Sequence, residues 1–172
     1  MTRNTAQLQQ MIMGFRTTLL LHVAATLGIA DQLESGPRSV AELAVSCGCG
    51  AEELYRILRA LSSLGIVREL ADRRFELAAL GEHLRTHAEG SLRAMAALYG
   101  ERWIWNAYGN LLHSVRTGES AFDAVHGQRF FDYLQEDANA ARSFNAAMSS
   151  YSAQELSAVC AAYDFSRFQT IA

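Results

Sequence analysis

Large soft and aromatic side chains recur at helical spacing near the carboxyl end of the chain, and they suit the binding of a flat ligand. Phe144, Met148 and Tyr151 are four and three residues apart, so they share one face of a helix. Trp103 and Trp105 lie in an earlier aromatic run. A ring system can stack on such side chains while a thioether adapts to its outline. The same pattern is typical of a helix packed in a core, and the residues alone favour that interpretation.

Other reactive residue types lack the partners that catalysis or metal binding needs. Cys47 and Cys49 are close in sequence, but a zinc site wants about four ligands and only Cys160 remains. His126 precedes a glycine and could place an imidazole in a cleft, although a histidine that caps a loop fits the pattern better. No serine, cysteine or carboxylate pair completes a catalytic set. We therefore expect neither a metal nor a catalytic residue in this chain.

Composition indicates a globular protein with a core. Half of the 172 residues are hydrophobic and the net charge is -3, which argues against a protein that coats nucleic acid. The apolar stretch from Leu19 to Ala30 carries a histidine and is shorter than the ~20 residues that span a bilayer. Three cysteines and the lack of a leader sequence favour a reducing cytoplasm. We expect a cytoplasmic protein without a membrane partner.

Apolar residues three and four apart predict a mainly α-helical fold. One continuous helical stripe runs from Leu8 to Leu27 and is broad enough to be buried on several sides, as in a dimer core. The run from Gly90 to Val115 also predicts helix, "AFDAVHG" a compact loop, and the run from Asp137 to Ala162 a final long helix.

The intervening segment has the pattern of a winged helix. Ser39 and Glu42 form a capping box after the turn at Gly36 and Pro37. A second helix ends at Gly65, and "IVREL" and "RFEL" then alternate as a β-hairpin does. Two helices followed by a hairpin is the order of a winged helix.

The charges of this winged helix do not favour DNA binding. Its second helix offers Arg56 and Arg59 but opens with Glu52 and Glu53, and the hairpin arginines are offset by acidic residues. A helix that reads DNA normally presents a net basic face. We expect a structural winged helix and no nucleic-acid partner. A winged-helix transcription regulator with a helical ligand-binding extension is the second hypothesis. A scaffolding dimer that binds no ligand is the third.

Several motifs, in their order, resemble one family. They are "LLLHVAATLGIADQLESG", "SVAELAVSCGCGAEELYRILRALSSLGIV", "FELAALGEHLR", "WNAYGNLLHSVRTGESAFDAVHGQRFFDYL" and "ARSFNAAMSSYS". Together they resemble the small-molecule O-methyltransferases that depend on S-adenosylmethionine, among them plant caffeate and flavonoid enzymes and bacterial enzymes that tailor polyketides. The resemblance covers nearly the whole chain. It implies a helical dimerisation domain that contains a winged helix, followed in the family by a Rossmann-like cofactor domain.

The resemblance implies four segments. Residues 1–36 are N-terminal dimerisation helices, residues 37–88 the winged-helix module, residues 89–163 a helical dimerisation and acceptor-binding region, and residues 164–172 a linker with the start of the cofactor domain's first strand. The glycine-rich loop that should follow is not in the sequence. We expect a truncated portion that is inactive alone and binds no cofactor, from a parent enzyme that uses S-adenosylmethionine.

The resemblance also assigns residues to an acceptor site. It implies that Phe144 and Met148 pack against a small aromatic acceptor. Trp103 and Trp105 fall in the helix that lines the acceptor pocket, and the sequence does not choose between them. Ser152 matches a position near the carboxylate end of the cofactor.

The first helix carries the implied dimer contacts. Met11, Phe15 and Leu19 match the segment of the family that intertwines with the partner subunit and can close its pocket. The resemblance therefore implies a homodimer, which agrees with the broad apolar stripe of this helix.

Overall fold

The computed structural model describes residues 2–170, apart from the side chains of residues 154, 157 and 158. It confirms a mainly helical fold with one small antiparallel sheet. The helices are α1 (Arg3–Ile12), α2 (Gly14–Thr26), α3 (Ile29–Gln32), α4 (Val40–Cys47), α5 (Ala51–Ser63), α6 (Arg93–Tyr99), α7 (Arg102–Gly109), α8 (Leu111–Thr117), α9 (Ala121–His126), α10 (Phe130–Glu136) and α11 (Ala138–Ala162). The strands are β1 (Arg38–Ser39), β2 (Val67–Glu69) and β3 (Arg74–Leu77), and short 3-10 turns cover Ala71–Arg73, Ala79–Leu84 and Phe165–Arg167.

The first helical stripe is divided into two helices rather than continuous. Met13 ends α1 with φ of -85° and ψ of 0°, and Gly14 begins α2. A glycine is among the weakest helix formers, so the chain turns most easily at this point. Ala24 and Ala25 of α2 are buried, whereas α1 has no buried residue. Thus α2 belongs to the core and α1 lies outside it.

The winged-helix module forms as the sequence predicted. The Ser39 hydroxyl accepts from the Glu42 backbone N–H at 3.3 Å, and the Glu42 carboxylate accepts from the Ser39 N–H at 2.7 Å. Gly65, with φ of 73°, follows the end of α5. Strands β2 and β3 pair antiparallel, and β1 adds a third strand, with Arg38 opposite Phe75. The sequence did not show β1, because two residues are too few to display a period.

A hydrophobic core joins α2–α5 to the sheet. Its most completely buried large side chains include Ile29, Leu33, Leu43, Leu58, Leu61, Val67 and Phe75. They come from the apolar faces of short helices and from alternate strand positions, so each element buries one face in this core.

The predicted helical run from Gly90 to Val115 consists of three helices, α6, α7 and α8. The chain bends at Gly100, where a Cβ atom would overlap the ring of His22 from α2. The His22 Nδ1 atom lies 2.7 Å from the Ala97 carbonyl oxygen. This close approach of α2 to the end of α6 requires a residue without a side chain.

The segment "AFDAVHG", predicted to be a compact loop, is helix α9. The Ser120 hydroxyl accepts from the Asp123 N–H at 3.3 Å, and Gly127 ends the helix with φ of 71°. The Phe122 ring packs edge-on against Trp103 at 6.2 Å between centroids. The helix is too short for its sequence to show a period, and its packing against distant residues stabilises it.

The final long helix agrees with its prediction. The Asp137 side chain caps α11 by accepting from the N–H groups of Asn139 at 2.9 Å and Ala140 at 3.0 Å. Beyond the turn at Phe165–Arg167, residues 168–170 form no strand. The rest of the predicted strand, Ile171 and Ala172, lies outside the described residues, so that strand stays a prediction.

Candidate functional site

An apolar cleft of about 540 Å³ lies between α2, the turn at Ala79–Leu84, α6 and α7. This volume is within the ~300–1,000 Å³ of small-molecule sites in proteins. The residues that line it are Thr18, Leu21, Ile66, Leu80, His83, Leu84, Leu92, Met95, Ala96, Tyr99, Ile104, Trp105 and Tyr108. We call it the aromatic cleft.

Two helices supply the aromatic wall of the cleft. Met95 and Tyr99 lie four residues apart on one face of α6, and Trp105 and Tyr108 three apart on α7. The Trp105 indole N–H donates to the Tyr99 carbonyl oxygen at 2.7 Å. This bond fixes the indole ring in the wall and satisfies its polar atom, so the ring offers an apolar stacking surface.

Trp103 and Trp105 have different positions, a choice that the sequence left open. Trp105 lines the aromatic cleft, whereas Trp103 is 7% exposed and packs among the rings of Phe130 and Tyr133, at 5.9 and 5.7 Å between centroids. Trp103 therefore forms the centre of a second core, between α7, α9, α10 and α11.

Phe144 and Met148 pack against this second core and are partly buried there. The Phe144 ring lies 5.1 Å from that of Phe130 and 6.4 Å from that of Phe131, between centroids. Neither residue lines the aromatic cleft, and their contact with an acceptor stays a prediction.

His126 packs within the same cluster, and its ring contacts a carbonyl inside α7 rather than a free loop or helix end. Its Nε2 atom lies 3.0 Å from the Trp103 carbonyl oxygen, and its ring stacks near Phe122 and Tyr133 at 4.3 and 4.8 Å between centroids. Burial, helped by the nearby Asp137 carboxylate, raises the pKa of the Tyr133 phenol. The phenol therefore remains neutral and is a poor general base.

Ser152 lies exposed on the C-terminal half of α11, in a shallow groove lined only by residues of that helix. A single helix face cannot enclose a ligand as large as S-adenosylmethionine, because most of the ligand would stay in water. The described residues by themselves therefore do not fit the cofactor, and the role of Ser152 stays a prediction.

Two of the three arginines of the wing are paired with carboxylates, and the third, Arg74, donates to the Pro37 carbonyl oxygen at 2.9 Å. Arg73 makes two hydrogen bonds to Glu52, at 2.7 and 2.8 Å, and its guanidinium lies 3.8 Å from the centre of the Tyr55 ring. Arg68 pairs with Glu76 across the hairpin. Phosphate binding needs unneutralised Lys or Arg, so these pairs weaken the DNA-binding hypothesis.

The three residues assigned to a dimer contact lie exposed along α1 and α2. Met11 is 69% exposed, Phe15 45% and Leu19 38%, and Leu8 and Ile12 extend the same face. A contiguous exposed apolar face of this kind is typical of an interaction surface, and the dimer contact of these residues stays a prediction.

The described residues contain neither a cluster of metal ligands nor a helix that could span a membrane. Among residues 2–170, no three His, Cys, Asp or Glu side chains come together as metal ligands would. Within the same part of the chain, no helix has the length and apolar character needed to cross a membrane.

The most informative signal that the sequence reading missed was on α6. Leu92, Met95 and Tyr99 recur three and four residues apart, which is the period of one helix face, yet Tyr99 and Met95 were not assigned to a site. His83 gave no signal, because its position at the cleft depends on how the turn packs against α6 and α7.

Comparison with known proteins places these features in a recognised family. Residues 9–87 match the model of the O-methyltransferase dimerisation domain. Over 164 residues, the chain is 40% identical to the phenazine O-methyltransferase PhzM of Lysobacter antibioticus, covering 95% of this chain and 48% of that protein.

Solved structures agree with this match. The crystal structure of LaPhzM superposes with a TM-score of 0.89 at 38% identity, over 95% of this chain and 49% of that one. The O-methyltransferase NcsB1 from neocarzinostatin biosynthesis, in complex with S-adenosyl-L-homocysteine and 1,4-dihydroxy-2-naphthoic acid, has a TM-score of 0.71 at 30% identity, over 87% and 46%. The chain spans about half the length of the curated relatives it matches.

Proposed function

The chain belongs to the family of O-methyltransferase dimerisation domains, and on that premise we propose a role in two parts. It forms the homodimer interface of a methyltransferase, and it supplies one wall of the pocket for an aromatic acceptor. The whole enzyme moves a methyl group from S-adenosylmethionine to an acceptor oxygen in secondary metabolism. This chain binds and orients the acceptor.

The observation that carries the dimer is the uncovered apolar face of α1. No residue of α1 is buried. Leu8, Met11 and Ile12 lie on one side of the helix, and each of them is more than half exposed. Burying a large apolar side chain contributes about 1.5–3 kcal/mol. In a two-fold symmetric dimer, each subunit covers this face of its partner, so each contact occurs twice.

The aromatic cleft suits the second part of the role. Trp105 and Tyr99 offer ring surfaces, and Met95 offers an adaptable thioether. Methyl transfer depends on alignment of the acceptor oxygen with the methyl carbon, and a rigid aromatic wall limits the orientations that a flat ring can take. The relatives are named for flat acceptors: phenazine for PhzM, and a dihydroxynaphthoic acid bound in NcsB1.

The dimer is tested by sedimentation equilibrium on the protein as its gene encodes it. Met11→Glu places a charge in the proposed interface, and we expect the dimer dissociation constant to rise at least about tenfold. Gln10→Glu is the matched control, because Gln10 lies on the opposite side of α1. Equal dissociation constants for the two variants would contradict the interface.

The acceptor wall is tested by methyl transfer from labelled S-adenosylmethionine to a panel of polycyclic phenols. Trp105→Ala removes stacking surface, so we expect KM for the acceptor to rise about tenfold while kcat changes less. Phe131→Ala is the control, since Phe131 is 67% exposed and does not line the cleft. Failure of the parent protein to label any phenol would refute the enzymatic role.

A further inference from the structure

We propose that His83 makes the aromatic cleft selective for acceptors that carry a carboxylate on the ring system. This inference rests on the proposed function, because it names the class of acceptor that the same cleft takes. It depends on which polar groups line the cleft and which of them can be charged.

The lining of the cleft contains few polar side chains. They are those of Thr18, His83, Tyr99, Tyr108 and Trp105, and the Trp105 N–H is already bonded to the Tyr99 carbonyl oxygen. Of the described residues that line the cleft, His83 alone has a side chain that can carry a positive charge, and none is a carboxylate. A ligand anion in the cleft therefore meets no repulsion from its walls.

The His83 ring is exposed, and the structure gives it no hydrogen-bond partner among the described residues. Its backbone carbonyl accepts from the Leu92 N–H at 2.7 Å, which ties the turn to the start of α6 and holds the residue at the cleft. The adjacent Glu82 is engaged elsewhere, since its carboxylate accepts from Arg85 at 2.9 Å. Arg85 also pairs with Glu34, so the neighbouring charges are satisfied without the imidazole.

The geometry suits one ligand class. Trp105, Tyr99 and His83 line the same cleft, so a flat ring that stacks on the aromatic wall shares the cleft with the imidazole. A carboxylate stays ionised at neutral pH, and a charge-assisted hydrogen bond from an imidazolium is about twice as strong as a neutral one. Histidine changes its charge between about pH 5 and 8, so the preference for a carboxylate should grow as the pH falls through that range.

The test compares two probes of similar shape, naphthoate and the neutral naphthamide, by isothermal titration calorimetry on the protein as its gene encodes it. At about pH 6 we expect naphthoate to bind about tenfold more tightly than naphthamide, and this ratio to shrink at about pH 8. His83→Phe should lower the ratio to about one. His83→Gln keeps a hydrogen-bonding group without the charge, so its ratio should not depend on pH.

His87→Gln is the control, because His87 is exposed, lies in the same connecting segment and does not line the cleft. This variant should retain the preference of the unsubstituted protein for naphthoate. If the unsubstituted protein binds both probes equally, or if His83→Phe retains the preference, the role of His83 is refuted and the proposed binding of the acceptor in the cleft is unaffected. If the unsubstituted protein binds neither probe, the proposed binding of the acceptor in the cleft is refuted together with the role of His83.

Discussion

The winged-helix core and helix α1 differ in how far their apolar side chains are exposed. Leu58 and Phe75 of the winged-helix core are 0% exposed, whereas Met11 and Ile12 of α1 are 69% and 65% exposed. Both regions show clear apolar stripes in sequence, but only one stripe is covered by its own chain. The comparison separates a core that the chain covers itself from an apolar surface that its described residues leave exposed.

The charges follow the same division. In the winged-helix module, Arg73 and Arg68 are paired with carboxylates, whereas the lining of the aromatic cleft has no charged pair. This difference fits our proposal that the acceptor lies in the cleft beside α2, α6 and α7 and not on the winged helix.

The largest effect should come from breaking the self-contained core. Leu58→Ala removes a fully buried side chain and leaves a cavity, so we expect a loss of about 2–5 kcal/mol in the free energy of unfolding, measured by urea denaturation. Val45→Ala on α4 is the control, because Val45 is 84% exposed, and it should change stability by less than about 0.5 kcal/mol. A loss below about 1 kcal/mol for Leu58→Ala would mean that this core is not the self-sufficient unit described.

A smaller effect should come from the joint that connects this core to the cleft. Gly100→Ala places a methyl group against the His22 ring, so α2 and α6 must separate, and we expect a cost of about 1–3 kcal/mol. In contrast, a Cβ at Gly109 in α7 meets no atom within 4 Å. Gly109→Ala should therefore be neutral or stabilise by up to about 1 kcal/mol, and the opposite order in thermal unfolding would show that the two helices do not meet as described.

Asp31 links the winged-helix core to α6 and should give a pH-dependent effect. Its carboxylate accepts from the Thr86 N–H at 2.7 Å and the Thr86 hydroxyl at 2.6 Å, and it pairs with Arg93 at 3.0 Å. Desolvation alone would raise the pKa of Asp31, but these hydrogen bonds and the charge of Arg93 outweigh it and hold the pKa below its ordinary value of 3.8.

A depressed pKa in the folded state stabilises the protein above the ordinary carboxyl pKa, and this contribution is lost as pH falls through the folded value. Asp31→Asn should therefore cost about 1 kcal/mol at neutral pH and progressively less below about pH 4, measured by urea denaturation from pH 7 to about pH 2. Glu89→Gln, an exposed change in the same connecting segment, should cost little at either pH. A cost for Asp31→Asn that does not vary with pH would exclude this linkage.

The smallest effect should come from the hairpin turn at Asp72, a residue that belongs neither to the core nor to the lining of the cleft. Asp72 has a positive φ of 57° in the hairpin turn, a conformation that favours glycine. Asp72→Gly should therefore stabilise the protein slightly, by at most about 1 kcal/mol, and leave probe binding in the cleft unchanged. If Asp72→Gly instead lowers the thermal unfolding temperature, the Asp72 side chain makes a contact that stabilises the turn by more than its backbone strain costs.

Local patterns were sufficient to predict much of the fold. The Ser39–Glu42 capping box and the Gly65 helix end depend on residues close in sequence, so the winged helix could be identified from its sequence. Helix α9 was predicted as a loop because its stability depends on contacts of Phe122 with distant aromatic residues. The break at Gly100 likewise depends on His22, which the sequence places far away.

The candidate site shows the same limit. Sequence identified aromatic residues at helical spacing and the apolar stripe of the first helix, because periodicity is a local property. Only the tertiary structure showed that Trp105 lines the cleft while Trp103 lies in a core. Residues two positions apart on a helix point to nearly opposite sides of it, so the two rings have different neighbours. It also placed His83 at the cleft, because the turn at Ala79–Leu84 packs beside α6.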